Sequence, residues 1–362
     1  MEPMEVKKED DAKISKYLRK PLLLVNCLML SIGNCSGPLL MRLYFVRGGK
    51  RIWFSSWLLT GGWPFILLPL AASYFHRRRS GSSDDTKLFF MKPFVFIACT
   101  VIGILTGLDD YLYAYGVARL PVSTSSLIIA SQLGFTAFFA FFLVRQKFTS
   151  YSINSVFLLT VAAVVLGLHT SGDRPANESK TEYFMGFFMT IAASALYGLV
   201  LPMVELTYKK AKQAITYSLV MEMQIVISIF ATLFCTIGML VNKDFEVIPR
   251  EAREYELGES KYYLVVACSA FIWQFFFLGS IGVIFNGSSL LAAVIITTLL
   301  PVTEILAVFF FQESFKVEKG ISVALSLWGF ASYFYGEFKA SKKSNQILKP
   351  GNPQHHPPSS HV

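Results

Sequence analysis

Long apolar runs recur along the chain, separated by short polar or charged stretches, and each run is about long enough to cross a bilayer. A hydrocarbon core takes roughly 20 apolar residues as a helix. The pattern predicts ten spans: 21–46, 52–75, 93–117, 122–144, 151–170, 183–207, 215–240, 261–285, 289–311 and 319–338. In hydrocarbon every backbone N–H and C=O must be satisfied within its segment or bundle, so the spans are predicted to be helices. The expected fold class is therefore an all-α integral membrane protein. The stretch before the first span, Lys7 to Lys20, mixes bases with acids, and no small-residue cleavage site follows the apolar run. Both features argue against a removable signal peptide.

The fourth and ninth spans end alike. Residues 132–149 read QLGFTAFFAFFLVRQKFT, and 299–316 read LLPVTEILAVFFFQESFK. In that register Leu133, Thr136, Ala140, Phe142 and Phe148 meet Leu300, Thr303, Ala307, Phe309 and Phe315. Serines lead into both stretches (Ser125-Ser126 and Ser288-Ser289), and a short charged turn leads out. The pattern predicts two five-helix repeats, 21–170 and 183–338, joined by an outer loop, 171–182. An odd number of spans per half inverts one half relative to the other. Inverted halves enclose a pocket near the bilayer midplane that can open to either side in turn. The remaining segments are an N-terminal tail, 1–20, and a Pro-bearing C-terminal tail, 339–362, which is expected to be disordered.

Composition agrees. The chain is 53% apolar and 16% charged, against about 25% charged for a soluble protein. That excludes a cytosolic enzyme, a disordered regulator and a nucleic-acid module. The net charge of +9 is explained by basic residues flanking spans rather than by a polyanion partner. With both tails cytoplasmic, the inner segments hold 20 Lys and Arg and the outer ones 12, in the positive-inside sense. The tails supply half of the inner count, and the Arg47, Lys50, Arg51 cluster points the other way. Asn177-Glu178-Ser179 is a glycosylation sequon in the outer loop. The five cysteines are scattered in apolar runs and act as small hydrophobes.

An ionised side chain at mid-span costs at least about 2.5 kcal/mol, so those present need a reason. They are Arg42, Asp109, Asp110, Glu205, Glu222 and Glu304. Asp109 and Asp110 point about 100° apart on a helix, so only one faces a given pocket squarely; the other caps a neighbour or pairs with Arg42. Glu205 lies near a boundary and can snorkel to water. Glu222 and Glu304 lie deeper, and the repeat partner of Glu304 is Ala137, so the shared fold does not demand that acid. Asn34, Gln132 and Gln274 each offer a donor and an acceptor, the pattern that reads the edge of a heterocyclic base. Trp273 offers an apolar face for stacking, as does one of Tyr111, Tyr113 and Tyr115, here Tyr113. The glycines in 33–37 and 61–62 permit close helix approach and bending. No phosphate-cradling loop, zinc-ligand spacing or nucleophile–His pair occurs in the sequence. No enzyme activity, cofactor or metal is expected.

Several long strings resemble the plant purine permease family, a branch of the drug/metabolite transporter superfamily. They are GNCSGPLLMRLYF (33–45), GGKRIWFSSW (48–57), DDYLYAYGVARLPVSTSSLIIASQLGFTAFFAFFLVRQKFT (109–149), LLTVAAVVLGLHTSGDRP (158–175), LYGLVLPMVELTYKKAKQ (196–213) and FNGSSLLAAVIITTLLPVTEILAVFFFQESF (285–315). The resemblance spans 21–338 and implies ten helices in two inverted five-helix repeats. It also implies proton-coupled uptake of adenine-type bases, cytokinins and related nitrogen heterocycles, at the plasma membrane. Where that family more often has Asp-Asn, this chain has Asp109-Asp110, and an acid at 110 only accepts unless protonated.

The expected site follows. Asn34, Asp110, Tyr113, Gln132, Glu222, Trp273 and Gln274 would bind substrate, and Asp109, Asp110, Glu222 and Glu304 would carry the proton. The expected partners are a purine-like heterocycle, a proton and the lipid bilayer, with no nucleic acid; whether two copies form a homodimer stays open. Other readings are an exchanger of another small metabolite, which the scarcity of bases within the spans disfavours for a phosphorylated cargo, and a non-transporting receptor or scaffold.

Overall fold

A computed structural model describes residues 3–79, 91–120, 125, 128–168, 180–311 and 317–347. Most of these residues are helical, with no strand among them. In order the helices are α1 (Pro3–Val46), α2 (Ile52–Thr60), α3 (Pro64–Arg79), α4 (Pro93–Arg119), α5 (Gln132–Val144) and α6 (Ser150–Leu168). They continue as α7 (Lys180–Lys210), α8 (Tyr217–Val241), α9 (Asp244–Glu254), α10 (Glu259–Asn286), α11 (Ser289–Phe311) and α12 (Val317–Ile347). Seven helical stretches are long and apolar enough to cross a membrane, with shorter apolar helices over 128–144 and 150–162.

Local chemistry sets the boundaries. Pro93 opens α4 at its first turn, where a missing N–H costs nothing. Thr216 caps α8, its hydroxyl accepting from Leu219 N at 3.3 Å. Arg145, at φ 52°, ends α5. The second predicted span is broken: α2 stops at Thr60, Gly61-Gly62-Trp63 turn, and Pro64 starts α3. At the break a Cβ on Gly62 would collide with the Ala270 carbonyl, so the turn must be bare to seat against α10. The other glycine stretch behaves differently, since α1 runs unbroken through Gly33, Gly37 and Pro38. There glycine serves contact: Gly33 meets the Phe276 backbone, and Gly279 of α10 meets Leu30.

The helix neighbours form a regular map. α1 packs on α10 and α11; α4 packs on α7, α8 and α2; and α5 packs on α7, α11 and α6. α2 and α3 pack on α8 and α10, α8 also meets α10, and α12 packs on α6 and α11. One buried cluster, including Leu30, Ile102, Leu133, Leu219 and Ile284, runs through the middle of the bundle.

At one end α9 shares a core with α1, α2 and α10, with Tyr44, Phe54, Leu58, Ala252 and Tyr262 in it. At the opposite end Tyr217 donates to Asn26 at 2.9 Å, and Lys92 Nζ donates to the Lys212 carbonyl at 2.6 Å. Three stretches extend or add to the predicted elements. α1 begins at Pro3, inside the expected tail, and α12 continues to Ile347, past 338. α9 fills the predicted loop between the seventh and eighth spans, its Phe245, Ile248 and Ala252 recurring at helical spacing. Asn177 and residues 348–362 lie outside the described residues, as does the Glu304 side chain.

Candidate functional site

The polar residues of the bundle centre come from α1, α2, α4, α5, α7, α8 and α10. Asp109 and Asp110 sit on α4 at 7% and 1% exposure and face different neighbours. Thr60, the last residue of α2 and fully buried, lies near Asp110. Thr232 of α8 donates to Thr60 Oγ1 at 3.3 Å, and Cys235, whose thiol reaches the Gly107 carbonyl at 3.6 Å, is alongside. Asp109, turned about 100° round the helix, faces Tyr113 and Tyr197.

Across from α4, α10 supplies rings and an amide. Tyr113 meets Trp273 edge-on, with ring centroids 6.1 Å apart at 76°. The indole lies against Gly37 of α1, where a Cβ would come within 2.9 Å of it. Tyr197 of α7 stacks on Phe276 at 5.8 Å. Gln274 donates from Nε2 to the Leu59 and Ala270 carbonyls at 3.2 Å each. Asn34 donates to the Ile296 carbonyl at 3.2 Å, tying α1 to α11.

Several buried polar atoms make no hydrogen bond among the described residues: Asp109 Oδ1, Asp110 Oδ2, Trp273 Nε1, Gln274 Oε1 and, on α5, Gln132 Nε2. Left dry, each costs about 1–3 kcal/mol, a cost that a water or ligand in contact would remove. α5 packs on α7 at Gly198, next to Tyr197, which brings Gln132 to the rim of this group. Glu222 is fully buried but stands ten residues before Thr232 on α8, about 15 Å along the helix axis. It is thus at a different depth from Asp110. Among the described residues no group of three His, Cys, Asp or Glu could hold a metal ion.

Two features were not anticipated. Thr60 carries no signal of its own in an apolar helix and becomes visible only beside the break that follows it. Glu205 does not reach solvent: at 5% exposure it accepts from Ser289 N and Oγ at 2.8 and 2.6 Å, satisfying the first turn of α11. Lys209 pairs with it at 2.8 Å. The i, i+4 spacing of Glu205 and Lys209 was the available clue.

The comparisons with known proteins agree in kind. Residues 21–343 match the profile of the purine nucleobase transmembrane transport family. Purine permease 3 of Arabidopsis thaliana is 54% identical over 329 residues, covering 91% of this chain and 94% of its own length. Purine permease 2 of the same plant is 53% identical over 339 residues, covering 90% and 95%. A solved crystal structure aligns with TM-score 0.56 at 14% identity over 84% of this chain and 97% of its own, a likeness of fold alone. With its apolar helices and these relatives, the chain belongs to the purine permease family, multi-pass membrane proteins that transport purine nucleobases.

Proposed function

We propose that this chain imports purine-type bases, adenine and cytokinins among them, together with a proton, through ten spans arranged as two inverted five-helix halves. The tails are cytoplasmic and the membrane is the plasma membrane. The observation that carries the reading is the set of buried acceptors and donors on α4 and α10 without a partner among the described residues, with Trp273 and Tyr113 between them. A purine edge presents both N–H donors and ring-nitrogen acceptors, and its face suits an indole. Asp109 or Asp110 takes the proton, Gln274 and Gln132 read the edge, and Asn34 lines the α1 side. Glu222 and Glu304 serve as relays toward the cytosol, and Asn177 carries a glycan.

The neighbour map supports the inverted halves. Exchange α1 with α7, α2–α3 with α8, α4 with α10, α5 with α11 and α6 with α12. Then α1·α10 becomes α7·α4, α5·α7 becomes α11·α1, α4·α8 becomes α10·α2, and α5·α6 becomes α11·α12; all of these pairs are in contact. The self-paired contacts α6·α12 and α5·α11 are present as well. Coupling then requires that protonation favour one open state over the other, since a proton bound equally in both shifts nothing.

The test is radiolabelled adenine uptake at pH 5 and pH 7.5, with and without a protonophore. Uptake that is faster at pH 5 and collapses with the protonophore is expected. Equal rates in all conditions refute the coupling, and no saturable uptake of adenine or a cytokinin refutes the cargo.

A further inference from the structure

We propose that Gln274 is a specificity-determining residue of the site: with its amide nitrogen committed to the end of α2, it presents only its carbonyl oxygen to the base, and it thereby selects 6-amino purines over 6-oxo purines. The inference rests on the reading above that Gln274 meets the edge of the base, and deepens it.

Gln274 is 4% exposed. Its Nε2 donates to the Leu59 carbonyl and to the Ala270 carbonyl, at 3.2 Å each. An amide nitrogen carries two protons, and two carbonyls take them. Leu59 belongs to the last turn of α2, where the Gly61-Gly62-Trp63 break ends the helix and carbonyls need donors from outside it. Gly62 seats at the same place, since a Cβ on it would come within 2.9 Å of Gln274 Nε2. Turning the amide over would set its oxygen against two carbonyl oxygens, acceptor on acceptor. The partners therefore fix which end faces α2. The oxygen left over, Oε1, is enclosed and has no hydrogen bond among the described residues.

The neighbouring groups sharpen the selection. Of the buried atoms on α4 and α10 without a partner among the described residues, Asp109 Oδ1, Asp110 Oδ2 and Gln274 Oε1 accept, and Trp273 Nε1 donates. A proton taken up by either acid turns one carboxylate oxygen into a donor. Gln274 does not titrate, so its oxygen stays an acceptor whatever the charge on α4. A 6-amino group supplies the N–H that this oxygen lacks. A 6-oxo group brings a second acceptor to the same place and leaves both oxygens unpaired, and a buried mismatch of that kind discriminates more strongly than a change of bulk.

The experiment measures how unlabelled adenine and hypoxanthine, the 6-amino and 6-oxo forms of one ring, compete with radiolabelled adenine uptake. Wild type, Gln274→Met and Gln274→Lys are compared in cells, with surface expression measured for each. Wild type is expected to favour adenine by at least about tenfold. Gln274→Met, similar in length but without the acceptor, is expected to shrink that ratio about tenfold, through weaker adenine binding. A role confined to clamping α2 would weaken both bases by the same factor; an unmoved ratio in the methionine variant overturns the proposal. If that variant fails to reach the membrane, Gln274→Lys keeps donors for the Leu59 and Ala270 carbonyls and has no acceptor. Its ratio is expected to invert toward hypoxanthine, and a ratio held at the wild-type value overturns the proposal. Saturable adenine uptake by a wild type that does not distinguish hypoxanthine also overturns it, and leaves the purine reading standing. No saturable uptake of adenine overturns both.

Discussion

The contact that closes the α9 end of the bundle makes the sharpest stability prediction. Glu251, 6% exposed, accepts from the Tyr44 hydroxyl at 2.5 Å, from the Tyr262 hydroxyl at 3.1 Å and from Lys50 N at 3.0 Å. Arg51 Nε stands 3.9 Å away. Tyr44 and Tyr262 are themselves buried, at 2% and 0%. Glu251→Ala therefore strands two phenolic donors in a dry core, while the exposed Lys50 recovers water. At about 1–3 kcal/mol for each stranded group, and in line with breaking a buried charged contact, the loss is about 3–5 kcal/mol. For a chain of this size that lowers the midpoint by roughly 10 °C. Glu251→Gln keeps one carbonyl acceptor for the tyrosines but turns an NH2 toward Lys50 N, and costs about 1–2 kcal/mol. Thermal unfolding of purified protein in detergent, followed by tryptophan fluorescence, reads both. An alanine variant melting within about 2 °C of wild type, or a glutamine variant worse than alanine, would refute the reasoning.

Burial pushes the Asp244 carboxyl up from its ordinary value, with Asn242 and Arg51 pulling against it. The folded state then binds the proton more tightly than the unfolded one, so stability from this group rises as pH falls through the window above about 4. Asp244→Asn is expected to flatten that part of the midpoint-versus-pH curve, and an unchanged slope contradicts the assignment. Glu205→Ala removes the acceptor for Ser289 N and Oγ and is expected to destabilise by about 3 kcal/mol; Ser289→Ala, which leaves the backbone donor paired, costs about 1 kcal/mol. Reversal of that order in the same melting assay would count against the cap. Gly33→Val drives a side chain into the Phe276 backbone and is expected to abolish folded surface expression, whereas Gly134→Ala, with open space around it, leaves expression at wild-type levels. Trp273→Ala is expected to raise the KM for adenine about tenfold, from the loss of one stacking face; an unchanged KM places the base elsewhere.

Hydropathy located the apolar helices because hydrocarbon demands them regardless of packing. It could not tell the two glycine-bearing stretches apart. Gly33 and Gly37 precede Pro38 in an unbroken helix, and Gly61-Gly62 precede Pro64 at a break. The difference lies in the partner: Gly62 faces the Ala270 carbonyl and Gly37 faces an indole ring, and neither neighbour is near in sequence. α9 was missed for a related reason. Its residues fall between the predicted seventh and eighth spans, yet Asp244 and Glu251 are buried against Asn242, Tyr44 and Tyr262. Charge density reports exposure only until a tertiary partner removes it.

The acids show the same limit at the site. Asp109, Asp110, Glu205 and Glu222 are all ionisable residues in apolar runs, and depth alone sets Glu205 apart as the one able to reach water. Pairing ranks some of them. Glu205 has Ser289 and Lys209, enough to account for it as a structural cap, much as the tyrosines account for Glu251. Asp109 Oδ1 and Asp110 Oδ2 have no such partners among the described residues, although the same bundle had hydroxyls and amides to spend on them. A buried polar atom without a partner is costly, and a fold that needed these acids only for packing would be more stable with apolar residues of similar size. Their presence is therefore better explained by something that comes and goes, a proton or the edge of a base, than by the architecture. That inference depends on which atoms are left over, and leftover atoms become visible only once every helix has found its neighbour.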